Sequence, residues 1–474
     1  LKNDAGKFCW TGGRLKIRCS NFVARIEMRA VFLILACAIV AHGHPLHAQS
    51  PAPTPPMGWS AWDAYGSGVT EAEFRANATV LASLRQYGWQ YAMLDYGWYV
   101  ADLSNLQAPG NFALDANGRL LPVANRFPSA ADGAGFKSLA DWLHARGLKL
   151  GIHVMLGIPR QAVSGNLPIA DSNYRAGEAA DAAETCSWDR EFYVANDNPA
   201  GQAYYDSLAR LYAAWGVDLI KLGCVSDSPF HASEIRQFSA AIRRAGRPMV
   251  VELSPGPLPP DFAPGPYAQM WRIAPEHWDV WNTPPGKSGF PVGIRDEFDL
   301  LAHAEHDVMA GSWIDPDLLA DGWLAPHPAW GEPRHSRLSG DEERTEFTLW
   351  AFARSPLIEG ANLTRLDAPT RALMTDRTLL RIDQHAKSSQ AVEGALPGVT
   401  DVRVWKAQTQ DGRVYLAIFN LDDHARELKA AWSELGVTGR EHAALDEASG
   451  SPLPRSDHLT VSLAAHGSAV YEIR

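Results

Sequence analysis

Runs of basic residues are missing from the part of this chain that follows the N-terminal region, and so are a zinc-binding spacing and a Gly-x-Gly-x-x-Gly turn after the first strand. Its 474 residues carry 43 lysines and arginines against 54 aspartates and glutamates, a net charge of −11. Phosphate contacts dominate nucleic-acid binding and require clustered cations, so no nucleic-acid partner is expected. The apolar stretch at residues 31–40 falls short of the about 20 residues that a membrane-spanning helix needs. Cysteine is scarce, at five residues, and three of these precede residue 40. None of the spacings resembles a zinc site. Tryptophan, in contrast, is plentiful at 17 residues. Packing in the core and stacking on sugar faces both account for that abundance, because the indole joins a large apolar face to a polar N–H.

The N-terminal region reads as an address rather than as structure. Met28-Arg29-Ala30 leads into the apolar residues 31–40, and Leu46-His47-Ala48 offers a small residue at a cleavage point. This is the pattern of a secretory signal peptide over residues 28–48, which predicts a periplasmic or secreted protein with no membrane attachment after cleavage. Residues 1–27 show no pattern and are expected to be an upstream extension outside the fold. Cys186 and Cys224 then remain, free to pair in an oxidising compartment or to stay as separate buried thiols.

From residue 56 the chain repeats one unit, a short apolar strand, a loop and an amphipathic helix. Strands are predicted at 57–60, 91–95, 148–154, 217–222, 249–254, 269–273, 313–315 and 356–359. Helices are predicted at 71–86, 136–146, 203–215, 232–245 and 341–354, with Gly147 stopping the second. Eight alternating units imply an α/β fold with a parallel sheet, and their length fits a closed (β/α)8 TIM barrel over residues 52–388. Beyond that the pattern changes to short apolar or alternating runs at 402–405, 414–419, 459–463 and 468–473. These predict a C-terminal antiparallel β-sandwich domain over 389–474.

A barrel of this kind carries its site at the C-terminal ends of the strands. There the chain delivers Trp59 and Asp63, Asp95, His153, Lys221 and Gly223, Ser254, Arg272 and Glu276, and Asp315 and Asp317. Carboxylates, a lysine, an arginine and aromatic rings converging on one mouth suit the holding and cleavage of a glycoside. Taken singly the residues say less: Asp63 and Asp317 read more naturally as loop or helix caps, and Lys221 as a structural ion pair.

The segment Thr54-Pro55-Pro56-Met57-Gly58-Trp59-Ser60-Ala61-Trp62-Asp63 resembles the opening of glycoside hydrolase family 27, the alpha-galactosidase (melibiase) family. Leu94-Asp95, residues 147–152, residues 215–221, Met270-Trp271-Arg272, Trp313-Ile314-Asp315-Pro316-Asp317 and residues 349–357 continue the match in order. Residues 157–163 resemble a bacterial branch. The resemblance runs from about residue 54 to 474. It implies a retaining hydrolase of terminal alpha-linked galactose or a related sugar, needing no metal or organic cofactor. Glu276 would be the acid/base, where the family usually carries aspartate. Asp95, His153, Lys221 and Arg272 would hold sugar hydroxyls, and Trp59 would face the apolar side of the ring. The family's bridge near the fourth strand implies a Cys186–Cys224 disulfide.

Three positions depart from the pattern. The family's nucleophile follows the fourth-strand lysine in a Lys-x-Asp motif, and here that position is Gly223. Tyr96 replaces a second aspartate after Asp95. Ser254-Pro255-Gly256-Pro257 replaces a glutamate-bearing loop of the animal enzymes. Asp227, four residues beyond Gly223, is the nearest replacement carboxylate in sequence. The expected function is therefore that of an alpha-galactosidase-like hydrolase with its nucleophile missing, or of a non-catalytic carbohydrate binder acting on an oligosaccharide or glycoside.

Overall fold

The computed structural model describes residues 50–474, apart from 287–288, 306–307, 309–310 and 326–330. The readings of 1–27 as an extension and 28–48 as a signal peptide lie outside the described residues.

Eight short strands, β1 (Met57–Ser60), β2 (Tyr91–Leu94), β3 (Lys149–Met155), β4 (Leu219–Gly223), β5 (Val250–Leu253), β6 (Met270–Arg272), β7 (Trp313–Asp315) and β8 (Leu357–Glu359), form one sheet. Its order is β7-β6-β5-β4-β3-β2-β1-β8, and every neighbouring pair is parallel. Closure comes just past β7, where Leu319 pairs in parallel with Glu359. There Leu319 N–H donates to the Ile358 carbonyl at 2.9 Å, and Gly360 N–H donates to the Leu319 carbonyl at 3.0 Å. The strands are buried on both faces, which is why they read as short apolar runs rather than alternating ones.

The surrounding helices carry their own start and stop signals. In α1 (Glu71–Ser83), Thr70 and Glu73 close a capping box, and Phe74, Ala78 and Leu81 turn one stripe inward. It ends three residues before the expected Gln86 because residues 85–87 tighten into a 3-10 turn that Gly88 stops at φ 108°. Next come α2 (Lys137–His144), α3 (Pro199–Trp215), α4 (Ala232–Arg244), α5 (Ile294–Ala304) and α6 (Gly340–Ala353). α3 begins earlier than its apolar pattern suggested, since Asn198 caps it and Pro199 occupies its first turn.

Between β3 and α3 lies an antiparallel three-stranded sheet (Ile158–Pro159, Ala180–Thr185, Phe192–Ala195) that periodicity did not reveal. A Cys186–Cys224 disulfide fastens this excursion to the end of β4. With the two cysteines 38 positions apart in sequence, the bond stabilises the fold by about 4 kcal/mol in the chain-entropy account.

The C-terminal region is antiparallel. β9 (Ala386–Ala391), β10 (Val402–Thr409), β11 (Val414–Asn420), β12 (Arg426–Ala431), β13 (His442–Asp446), β14 (Pro452–Ser456), β15 (His458–Leu463) and β16 (Ser468–Ile473) make two sheets. Six strands run in the order β9-β10-β11-β16-β13-β14, and β12 pairs with β15. Leu416, Ile418, Leu428, Val461 and Leu463 fill the space between them. Phe298 of α5 packs edge-on against Trp405 and Phe419, at 5.7 and 4.9 Å. Trp281 stacks on His466 at 4.0 Å.

Beneath the barrel mouth lies a set of acids with no exposure to water. His277 Nδ1 lies 3.0 Å from the Val292 carbonyl, which fixes the proton on that nitrogen in the neutral ring. Nε2, 2.6 Å from Glu346, then has to accept, and burial pushes the Glu346 carboxyl up to about 8, so that it can donate. Burial likewise drives Glu297 to about 8, and neither of its oxygens has a hydrogen-bond partner among the described residues. A carboxyl raised on folding adds stability below its unfolded value, about 4.3, and loses it as pH rises through the folded one. Above about 6.5 histidines no longer oppose the trend. Thermal midpoints should therefore fall from pH 6.5 to 8.5, and Glu297→Gln should flatten the slope. Equal slopes in the two proteins would contradict this placement of the protons.

Candidate active site

The C-terminal strand ends open into a cavity of 460 Å³, within the usual range for a small-molecule site. Its polar floor is built from Asp95 after β2, His153 of β3, Lys221 of β4, Glu276 after β6 and Asp317 after β7. Trp62, Tyr96, Trp188 and Phe290 form an aromatic rim, and Ser254, Pro255 and Gly256 close the side above β5.

Lys221 is the electrostatic centre. Its ammonium donates to Asp95 Oδ2 at 3.1 Å and lies 4.0 Å from Glu252. Burial opposes its charge, but Asp95 and then Glu252 outweigh burial and raise its pKa, so the cation persists. Burial alone would raise Asp95. Lys221, His153 and the Tyr96 N–H at 2.7 Å together hold it below the ordinary carboxylate value. Glu276 goes the other way: burial first, then the negative charge of Asp317, raise it against the pull of Arg272 and Lys221. The Trp278 indole N–H donates to it at 3.3 Å. A buried carboxyl with a raised pKa holds its proton longer, as a general acid must.

Asp317 is pinned on both oxygens, by Arg272 at 2.6 Å and by the His277 N–H at 3.1 Å. Its φ of 98° is a left-handed conformation that costs a non-glycine residue about 1–3 kcal/mol and is typically kept where a side chain must be aimed. Gly223 lines the cavity without a side chain to offer. A Cβ placed there would stand 2.6 Å from His153 Nε2 and 2.9 Å from Met155 Sδ. Burial, with Lys221 adding and Asp95 opposing, lowers His153 to about 4, so its ring is neutral. Its Nδ1 is buried and has no hydrogen-bond partner among the described residues.

Several expectations need correction. Trp59 does not face the cavity. It lies on the outer face of β1, fully buried against Phe74 of α1, with its N–H donated to the Ala361 carbonyl at 2.7 Å. Side chains alternate along a strand, so the neighbouring Ser60 takes the inner face and meets Asp95. The aromatic residue supplied to the mouth from this segment is Trp62. Arg272 is not at the cavity wall either. It is 1% exposed, bound to Asp317 and to the Pro275 carbonyl, and acts on the site through Asp317. Asp317 and Asp63 are not caps: the first lines the cavity, and the second is a buried carboxyl whose pKa burial raises well above normal. Asp227 lies outside the cavity, engaged by the N–H and hydroxyl of Ser187.

The matches with known proteins agree with this construction. The family model for alpha galactosidase A matches residues 54–192 and 189–385, and that for the alpha galactosidase C-terminal β-sandwich domain matches 399–473. The chain belongs to glycoside hydrolase family 27. Alpha-galactosidase A of Cellvibrio japonicus is 27% identical over 390 residues, 81% of this chain and 80% of that protein. A family 27 β-L-arabinopyranosidase of Geobacillus stearothermophilus is 36% identical, covers 91% of this chain and 98% of its own, and superposes with a TM-score of 0.83. A variant of that enzyme, solved with arabinose, superposes at 0.84. A putative alpha-N-acetylgalactosaminidase of Bacillus halodurans is 35% identical, with 88% and 97% coverage and a TM-score of 0.77.

In this family 27 chain, removing one partner of the Lys221–Asp95 pair strands the other charge in the interior, at a cost of about 3–5 kcal/mol. Lys221→Met and Asp95→Asn should each destabilise by that order in denaturant unfolding, and the double variant by much less than the sum. Additive losses would show that the pair does not act as a unit.

Proposed function

We propose that the cavity is the terminal-sugar pocket of an alpha-galactosidase-type glycosidase that has lost its nucleophile. In the family's retaining chemistry, one carboxylate attacks the anomeric carbon while a second, about 5–5.5 Å away, protonates the leaving oxygen and later activates water. Glu276 suits the second role because it faces the cavity and its pKa is raised. Gly223, two residues beyond Lys221 on β4, carries the proposal: the position of the attacking group has no side chain. Asp95 is engaged by Lys221, Asp317 by Arg272 and the His277 N–H, and Asp227 by Ser187, while Asp63 is buried with a raised pKa and does not line the cavity. Asp95, His153 and Lys221 remain on the polar floor to grip sugar hydroxyls, so the chain as written binds a terminal pyranose and turns it over negligibly. A settled role as a carbohydrate binder is the alternative reading, supported by the same floor. The disulfide favours an exported protein.

The sugar follows from the rim. Alpha-D-galactose and β-L-arabinopyranose share the arrangement of their ring hydroxyls and differ in the exocyclic hydroxymethyl group. Tyr96, with its hydroxyl tied to Asp189, presents a ring where the family resemblance places a second aspartate. An apolar wall there suits the smaller pentose, the sugar of the Geobacillus enzyme.

Chromogenic alpha-galactoside and β-L-arabinopyranoside should both be inert to the unaltered chain. Gly223→Asp should raise hydrolysis on the order of 10³-fold or more, since deleting a nucleophile elsewhere costs about 10⁶ in kcat. The new side chain requires His153 and Met155 to turn aside, and both meet it with side-chain atoms rather than backbone. Comparable hydrolysis by the unaltered chain would overturn the proposal.

A further inference from the structure

Four consecutive residues beside the cavity are each anchored, yet the largest side chain among them is left in solvent. Cys186 is bonded to Cys224, the residue after Gly223. Ser187 gives its N–H and hydroxyl to Asp227, at 2.8 and 2.5 Å. The Trp188 carbonyl accepts the Gln107 side-chain N–H at 2.5 Å. Asp189, with no exposure, accepts the Tyr96 hydroxyl at 2.8 Å. Between these anchors the Trp188 side chain remains 39% exposed. Among the described residues, Tyr174 is its one companion as an exposed large hydrophobic.

Packing alone does not explain this arrangement. An indole contributes most to stability when it is buried, and a loop held this firmly has the geometry to bury it. Instead the ring lines the cavity mouth, meeting Tyr96 edge-on at 5.3 Å, with Leu106 and Phe290 as apolar neighbours on the same rim. The charged groups lie below, on the floor around Lys221. A rigid aromatic face above a polar pocket binds at little cost in ordering, because its backbone is already fixed.

We infer that Trp188 is the platform for the second unit of a glycoside, stacking on the apolar face of the sugar next to the terminal one. This rests on the reading of the cavity as the terminal-sugar pocket. The ligand is a neutral, at least two-unit glycoside whose terminal pyranose reaches the floor while its neighbour lies against the indole. The disulfide and the Asp227–Ser187 contacts then have a shared purpose. They fix the platform to β4, the strand that carries Lys221.

The test compares one-unit with two-unit ligands by calorimetry on the full chain. The probes are galactose against melibiose, and L-arabinose against 4-nitrophenyl β-L-arabinopyranoside. Trp188→Ala should weaken melibiose about ten-fold while galactose shifts less than two-fold. Trp188→Phe should recover part of the loss, and Tyr174→Ala should change neither. Binding of melibiose should also alter the indole fluorescence of the unaltered chain, and this response should shrink in Trp188→Ala. Equal losses for one-unit and two-unit ligands, or no loss at all, would overturn the platform. Loss confined to the nitrophenyl glycoside would overturn its assignment to a sugar. Failure of the unaltered chain to bind any of the four would overturn the terminal-sugar reading itself, a result distinct from the others.

Discussion

A charged lysine in the upper interior of the barrel sets the terms for everything around it. Lys221 is buried, so its charge must be balanced locally, and Asp95 from β2 and Glu252 from β5 balance it. That requirement joins three strands of the sheet and fixes an anion and a cation at the cavity floor. The same positive charge helps to keep His153 neutral and reaches Glu276 as a stabilising influence. A second pair, Arg272 with Asp317, does the corresponding work between β6 and the end of β7. Buried ion pairs of this type add little net stability compared with apolar packing. Their retention is more readily understood as the cost of keeping charged hydrogen-bonding groups ready for a polyhydroxylated ligand.

On the proposed reading, one position beside that floor is empty of chemistry. Asp95 and Lys221 neutralise each other, Asp317 is held from two sides, and Glu276 tends to keep its proton. No carboxylate stands at Gly223, and the neutral imidazole of His153 leans into the space that a side chain there would need. A neutral ring is compatible with that place because it adds no charge beside Lys221. The site thus supports the proposed binding role, in which the route through a covalent glycosyl intermediate would lack its first atom.

Much of this was legible in the sequence. All eight barrel strands were marked by short apolar runs and five of the helices by amphipathic patterns, α5 passing unread, and a later change to short alternating runs marked the β domain. Asp95, His153, Lys221, Gly223 and Glu276 reach one cavity as expected, because the C-terminal strand ends meet there. Trp59 was misjudged because a motif gives residue order but not strand face, and the period-two alternation of β1 sends its ring to the helix layer. Arg272 and Asp317 exchanged roles for a related reason: which of two facing ions reaches the cavity depends on backbone geometry, here the left-handed φ of Asp317. Trp188 gave no signal, since its loop has neither helical nor strand periodicity and its position comes from a disulfide and hydrogen bonds distant in sequence.

The proposal that this family 27 pocket lacks its attacking carboxylate is tested most directly by intact-protein mass. The unaltered chain and Gly223→Asp would each be incubated with a slowly turned-over 2-deoxy-2-fluoro glycosyl fluoride of the preferred sugar. The account predicts one added glycosyl unit on the variant, mapped to position 223, and none on the unaltered chain. A glycosyl adduct on the unaltered chain would reveal another nucleophile and contradict it.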